Sequence, residues 1–214
     1  MSNSFSKENI LKKIRKALTQ TVPLPFPNSE GANSVFQPAT DDLAVLFAQE
    51  FTRLQGKFAY CSNVLELANE LKKLVEQQDW KEVYCAENSI RSSLHKNGYT
   101  KFSSGTLAQC DVAITSCEAL VARTGSIMMS AAQPSGRTAS VYAPIHVCIA
   151  NVNQLVYDVK DAIFLIKQKY QNNLPSLITF ATGPSRTADI EKTLVVGVHG
   201  PKAVYCFLVE SNQD

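Results

Sequence analysis

Residues 180–201 carry the chain's densest group of reactive side chains, Phe-Ala-Thr-Gly-Pro-Ser-Arg-Thr-Ala-Asp-Ile-Glu-Lys-Thr-Leu-Val-Val-Gly-Val-His-Gly-Pro. Arg186 offers a planar guanidinium suited to a carboxylate or phosphate, with the hydroxyls of Ser185 and Thr187 on either side. Asp189 and Glu191 are two residues apart, which on a strand would put both carboxylates on one face for acid–base work. His199, ahead of Gly200-Pro201, is a weak candidate for proton transfer. Ordinary structural roles are available to each: an Arg186 pairing with a nearby carboxylate, a capping Asp189, a hydrogen-bonded turn histidine at His199. The spacing therefore favours binding over catalysis, and the catalytic residues stay unassigned.

Two other polar segments follow apolar runs. Residues 115–126 include Cys117, Arg123, Thr124, Gly125 and Ser126, and residues 133–138 include Arg137. Ligands of open α/β sheets bind beyond the carboxyl ends of the strands, so the three segments are expected to meet there. Thr124, Gly125, Ser126, Gly183, Pro184, Ser185, Arg186 and Thr187 form the expected ligand-binding set. Their hydroxyls, arginine and backbone N–H groups suit a small anion. A nucleophilic role for Cys117 is disfavoured, because the adjacent Glu118 raises a thiol's pKa. There is no G-x-G-x-x-G and no Walker-type loop, so the usual nucleotide cofactors lack support. The six cysteines form no Cys-x-x-Cys pair and read as small buried thiols, so no metal site is expected on this chain.

The elements that must hold these segments alternate along the chain. Helices are expected at 7–18 (capped by Ser6), 41–54 (capped by Thr40 or Asp41), 62–75, 87–96 and 158–170. Strands are expected at 57–61, 82–85, 111–115, 126–130, 145–152, 176–181, 193–198 and 203–209, the last two joined as a hairpin through 199–202 at a sheet edge. The class is α/β: a mostly parallel sheet flanked by helices, with antiparallel strands near the end. His146 falls mid-strand and reads as a satisfied core histidine, whereas His95 reads as exposed. Four of nine prolines fall within 19–40, which makes 1–40 a helix plus linker and 41–214 the α/β domain.

The helix at 7–18 sets Lys7, Lys12, Lys13, Arg15 and Lys16 against Glu8, a pattern for assembly, an acidic partner or a membrane surface. A homo-oligomer is one expectation from it. A net charge of +2 gives no support to a nucleic-acid carrier. No apolar run reaches membrane-spanning length, and residues 1–8 lack an apolar signal core, so a cytoplasmic protein is expected.

Thr182-Gly183-Pro184-Ser185-Arg186-Thr187-Ala188-Asp189-Ile190-Glu191, followed by Gly197-Val198-His199-Gly200-Pro201, resembles the signature of the LUD-domain family, of the lactate-utilisation protein C type. Ala122-Arg123-Thr124-Gly125-Ser126 and Ala143-Pro144-Ile145-His146-Val147 resemble its other blocks, and the likeness covers roughly 110–209. The resemblance implies a fold similar to the sugar-phosphate isomerase and CoA-transferase group (NagB/RpiA/CoA-transferase-like). It also implies an accessory part in oxidising L-lactate to pyruvate, beside an iron–sulfur subunit and a second redox subunit that carry the clusters. Many members have Ala-Glu-Thr-Gly-Thr where this chain has Arg123, so a guanidinium replaces a carboxylate beside the expected pocket. The alternatives are an independent enzyme on a phosphorylated or CoA-type molecule, and a metabolite-sensing interaction protein.

Overall fold

The computed structural model describes residues 3–19, 39, 41–190 and 193–210. The chain divides into two compact units, 1–38 and 39–214. The described part of the first is helix α1 (Asn3–Leu18), which starts ahead of Ser6, so that residue lies inside the helix rather than capping it. The proline-rich stretch lies almost wholly outside the described residues.

In the second unit α2 (Leu43–Arg53) is capped by Asp42, whose carboxylate accepts from the amides of Ala44 and Val45 at 2.8 and 3.3 Å. Asp42, not Thr40 or Asp41, is therefore the cap. The chain continues through β1 (Lys57–Cys61), α3 (Val64–Gln77), β2 (Val83–Tyr84), α4 (Asn88–Lys96) and β3 (Val112–Thr115). Next come β4 (Ala119–Val121), β5 (Ser126–Ser130), α5 (Ala139–Tyr142), β6 (Ile145–Asn151), β7 (Leu155–Val156) and α6 (Val159–Tyr170). The last strands are β8 (Ile178–Ala181), β9 (Arg186–Ile190), β10 (Thr193–Val196) and β11 (Ala203–Val209).

A five-stranded parallel sheet has the order β1-β11-β6-β3-β2. One face packs Val112, Ile114, Val147, Phe207 and Val209 against Leu67, Leu71 and Val75 of α3 and Leu94 of α4. The other packs Cys148, Ala150, Val204, Cys206 and Leu208 against Phe47 and Phe51 of α2 and against Leu120, Ile127 and Met129. Those last three belong to a second sheet, order β7-β4-β5-β8, which is largely antiparallel. Its far side packs Ala119, Val121 and Met128 onto Ala162 and Ile166 of α6. The unit is thus layered helix, sheet, sheet, helix.

Two expectations need correction. β11 is not an edge partner of the preceding strand: it lies inside the parallel sheet, because Val204–Val209 are buried on both faces and need cover on both. β10 instead pairs with β9, Val196 opposite Arg186, so the signature loop is itself a hairpin. The antiparallel strands also begin at Ala119, well before the end of the chain.

Candidate functional site

The signature glycines are explained by what they touch. Gly125 has a φ of 57°, and a β-carbon there would come within 2.5 Å of the Phe51 amide nitrogen. Gly183 has a φ of 83°, and a β-carbon there would stand 2.4 Å from the Leu54 carbonyl oxygen. Both positions therefore need glycine twice over, for the left-handed backbone and for close approach to the end of α2. Arg186 joins them: its Nη2 donates to the same Leu54 carbonyl at 2.5 Å, satisfying one of the acceptors a helix leaves at its C-terminus. Three signature positions thus converge on residues 50–54.

The hydroxyls form a chain between the two blocks. Thr124 Oγ1 and Ser126 Oγ lie 2.8 Å apart, and Ser126 Oγ lies 2.8 Å from Thr182 Oγ1. Thr182 continues into the wall of a cavity of about 280 Å³ shared by Gly183, Pro184, Ser185, Ser140 and His199. A second cavity, about 460 Å³, adjoins it through Val141, His199 and Gly200 and reaches Tyr142, Pro144 and Lys202. Hydrogen bonds from Ser185 N to Pro201 O (3.0 Å), Gly197 N to Ser185 O (2.9 Å) and Lys202 N to Pro144 O (2.8 Å) fix these walls. Among the described residues no carboxylate lines either cavity, whereas His199 borders both and Lys202 the larger, so the lining suits an anion. A larger cleft beside Trp80, about 540 Å³, mixes Glu76, Asp79 and Glu82 with Lys81 and Lys101, and Lys101 pairs with Glu76 at 3.1 Å.

The location differs from the expected one. Pro144 precedes β6 and Lys202 precedes β11, so the cavities open at the amino ends of the two central parallel strands. The larger cavity is lined mainly by connections entering that sheet, whereas the smaller also takes residues 179–181 of β8 and the segment 182–185 that leaves it.

The three arginines go to three different places. Arg123 Nη1 donates to Asp158 at 2.6 Å, tying the turn before β5 to the N-cap of α6. Burial pushes the Asp158 carboxyl up, but the Lys160 amide and the Arg123 guanidinium outweigh it and hold the carboxyl below its ordinary value. Arg137 Nη2 donates to Ser176 Oγ at 2.5 Å, and Arg186 serves Leu54. None of the three lines the cavities. Thr187 lies on β9 opposite Val195. The side chain of Asp189 and all of Glu191 lie outside the described residues.

The carboxyl end of β3 holds a cluster that the sequence did not announce. Glu87 leaves the N-cap amides of α4 alone and accepts from Ser116 N and Oγ at 2.8 and 2.6 Å. Gln133 Nε2 donates to Ser116 Oγ at 2.9 Å, and Gln133 Oε1 accepts from Ser130 N at 2.8 Å. Ser130 Oγ (2.6 Å) and Tyr170 OH (2.8 Å) donate to Glu118 Oε1, and Lys169 Nζ donates to Oε2 at 2.7 Å. Burial raises the Glu118 pKa, but these three donors outweigh it and leave a net lowering. The partners lie 12 to 52 residues from Glu118, beyond the reach of any local motif.

His146 is fully buried, and only one of its ring nitrogens has a partner. Thr115 Oγ1 lies 2.8 Å from both the Ser116 carbonyl and His146 Nε2. A carbonyl only accepts, so the single hydroxyl proton goes to it and His146 Nε2–H donates to Thr115. Nδ1 is left as an unpartnered lone pair, so the expected satisfied histidine is only half satisfied. Burial lowers its pKa to about 4. Cys117 is held well above the ordinary thiol pKa by its hydrogen bond with Cys148 and by burial, which works against a nucleophilic role. Among the described residues, no three His, Cys, Asp or Glu side chains are grouped to hold a metal ion, and no helix is long and apolar enough to cross a membrane.

Over 100 residues the chain is 37% identical to "Lactate utilization protein C" of Bacillus licheniformis, covering 45% of this chain and 42% of that one. A protein of the same name from Shouchella clausii is 37% identical over 115 residues, covering 53% and 50%. The matched region spans about half the length of these relatives or less. A crystal structure of a DUF162 family protein from Deinococcus radiodurans superposes with a TM-score of 0.58 at 19% identity, over 78% of this chain and 96% of that one, a likeness of fold alone. The LUD domain family model matches residues 45–209, so the chain belongs to the LUD domain family.

Proposed function

We propose that this chain works in lactate utilisation, as an accessory subunit of an assembly that oxidises L-lactate to pyruvate. In this reading the iron–sulfur clusters and the remaining redox chemistry belong to partner subunits, and this chain binds a small carboxylate. The observation that carries the reading is the 37% identity to proteins named for lactate utilisation. The geometry supports the ligand class. Lys202 and His199 border paired cavities that no carboxylate lines among the described residues, and Ser140 and Ser185 supply hydroxyls to one of them. A carboxylate held at such a site gains a charge-assisted hydrogen bond and meets no like charge. Arg186 acts indirectly here, by fastening the signature hairpin to α2 through Leu54. Thr124 and Ser126 stand behind Thr182 and fix the wall it belongs to.

The test is co-expression with the neighbouring redox subunits, followed by L-lactate-dependent reduction of an electron acceptor with and without this chain. A lower rate in its absence is expected; an unchanged rate overturns the accessory role. L-Lactate and pyruvate should each raise the melting temperature of the purified chain. Inorganic phosphate serves as the comparison anion, and stabilisation by phosphate alone would sink the carboxylate assignment.

A further inference from the structure

Helix α1 carries five cations, Lys7, Lys12, Lys13, Arg15 and Lys16, against Glu8 alone. The whole chain has a formal charge of +2, so the helix holds +4 and all other residues together −2. Along the helix Ile10, Ile14 and Ala17 recur at i, i+4 and i+7, with Leu11 beside them, which makes one apolar stripe headed at its N-terminal end by Lys7. On this stripe Ile10, Leu11 and Ile14 are 55%, 40% and 48% exposed. On the helical wheel Arg15 borders the stripe on one side and Lys13 on the other.

We propose that α1 docks on an anionic phospholipid surface, lying in the plane of the headgroups with its Ile and Leu side chains at the acyl boundary. A flat anionic surface meets both cationic borders at once, while the stems of Lys and Arg let their charges stay at headgroup level. A second copy of the helix fits poorly, since pairing stripes would bring two sets of five cations together. The other residues sum to only −2, and the acidic cleft beside Trp80 already pairs Asp79 with Lys81 and Glu76 with Lys101, so another copy's domain is a weaker seat for α1. The stripe is short, so docking is reversible and governed by charge.

The experiment is sedimentation of the full chain with vesicles of one part phosphatidylglycerol to two parts phosphatidylcholine. Expected are binding at low salt, release at high salt and no binding to vesicles of phosphatidylcholine alone. Lys12→Gln with Lys13→Gln should weaken binding by roughly fivefold per cation removed. Ile10→Ser with Ile14→Ser should remove it while leaving the melting temperature unchanged. Absence of low-salt binding overturns the proposal, as does equal binding to neutral vesicles. So does capture by poly-glutamate without vesicle binding, or an oligomeric state that changes when the stripe is altered while vesicle binding does not.

Discussion

The two ends of the central sheet are built on opposite plans. At the carboxyl end of β3, Glu87, Ser116, Gln133, Ser130 and Glu118 hydrogen-bond to one another, and the last is completed by Lys169 and Tyr170. At the amino ends of β6 and β11, the polar groups around His199 face open cavities totalling several hundred cubic ångströms. The closed cluster holds more ionisable groups, and by residue type alone it would look more catalytic. Its polar atoms are already engaged with each other, so it braces the junction between the sheets and α6. The open end has fewer polar groups and leaves room beside them, and that difference is why the proposed ligand is assigned to it.

The largest expected effect concerns His146, the offshoot of the closed cluster through Thr115. Its folded pKa, about 4, lies below the ordinary value of roughly 6.5. Between those values the unfolded chain binds a proton that the folded chain does not, so stability is present above about pH 6.5 and is lost as pH falls toward 4. The loss amounts to about 3 kcal/mol. Other carboxylates titrate in the same range, so the measurement is urea unfolding of wild type against His146→Leu at several pH values. The variant keeps the Thr115–Ser116 hydrogen bond and should lose this part of the acid sensitivity. Equal pH slopes for the two proteins would refute it.

Glu118→Gln comes next. The amide keeps one acceptor oxygen but turns an NH2 toward groups that donate, and it loses the charge facing Lys169. About 2 kcal/mol of unfolding free energy should be lost, with no change in ligand-induced stabilisation, since Glu118 lines neither cavity. A variant that kept its stability but lost ligand response would invert the assignment of the two ends. Arg186→Ala should cost about 1 kcal/mol, the net value of an ordinary hydrogen bond, because solvent screens the guanidinium charge at this exposed position.

How much of this the sequence discloses depends on the range of the interactions. The helices at 43–53, 64–77 and 159–170 follow from local periodicity and caps such as Asn63 and Asp158, and the two glycines needed a tight turn that sequence also signals. The second sheet is harder to see, because Ala119–Val121 is a three-residue strand whose sheet is completed by β8, some sixty residues later. The interior place of β11 was written in its unbroken apolar run, but the Gly-Pro ahead of it carried the stronger, misleading sign of a hairpin. Cap and period are encoded within a few residues. The partner of Glu87 lies 29 residues on, and nothing at Glu87 marks it. The open site is half legible: Gly183 to Ser185 and His199 stand out in the sequence, while Ser140 and Lys202 join them only through the pairing of β6 with β11.

The smallest effect on stability is expected where the largest effect on binding lies. His199 is exposed at the shared wall of the two cavities, and Lys202 is exposed at the outer one. Truncating either to Ala removes no buried contact, so unfolding free energy should change by less than about 0.5 kcal/mol. The rise in melting temperature produced by L-lactate should nevertheless fall, with Lys202→Ala the more damaging if the carboxylate meets the ammonium first. Lys202→Arg keeps the charge and should retain part of the response. If both alanine variants keep the full response, the carboxylate does not bind between β6 and β11, and the contrast between the two ends of the sheet loses its functional meaning.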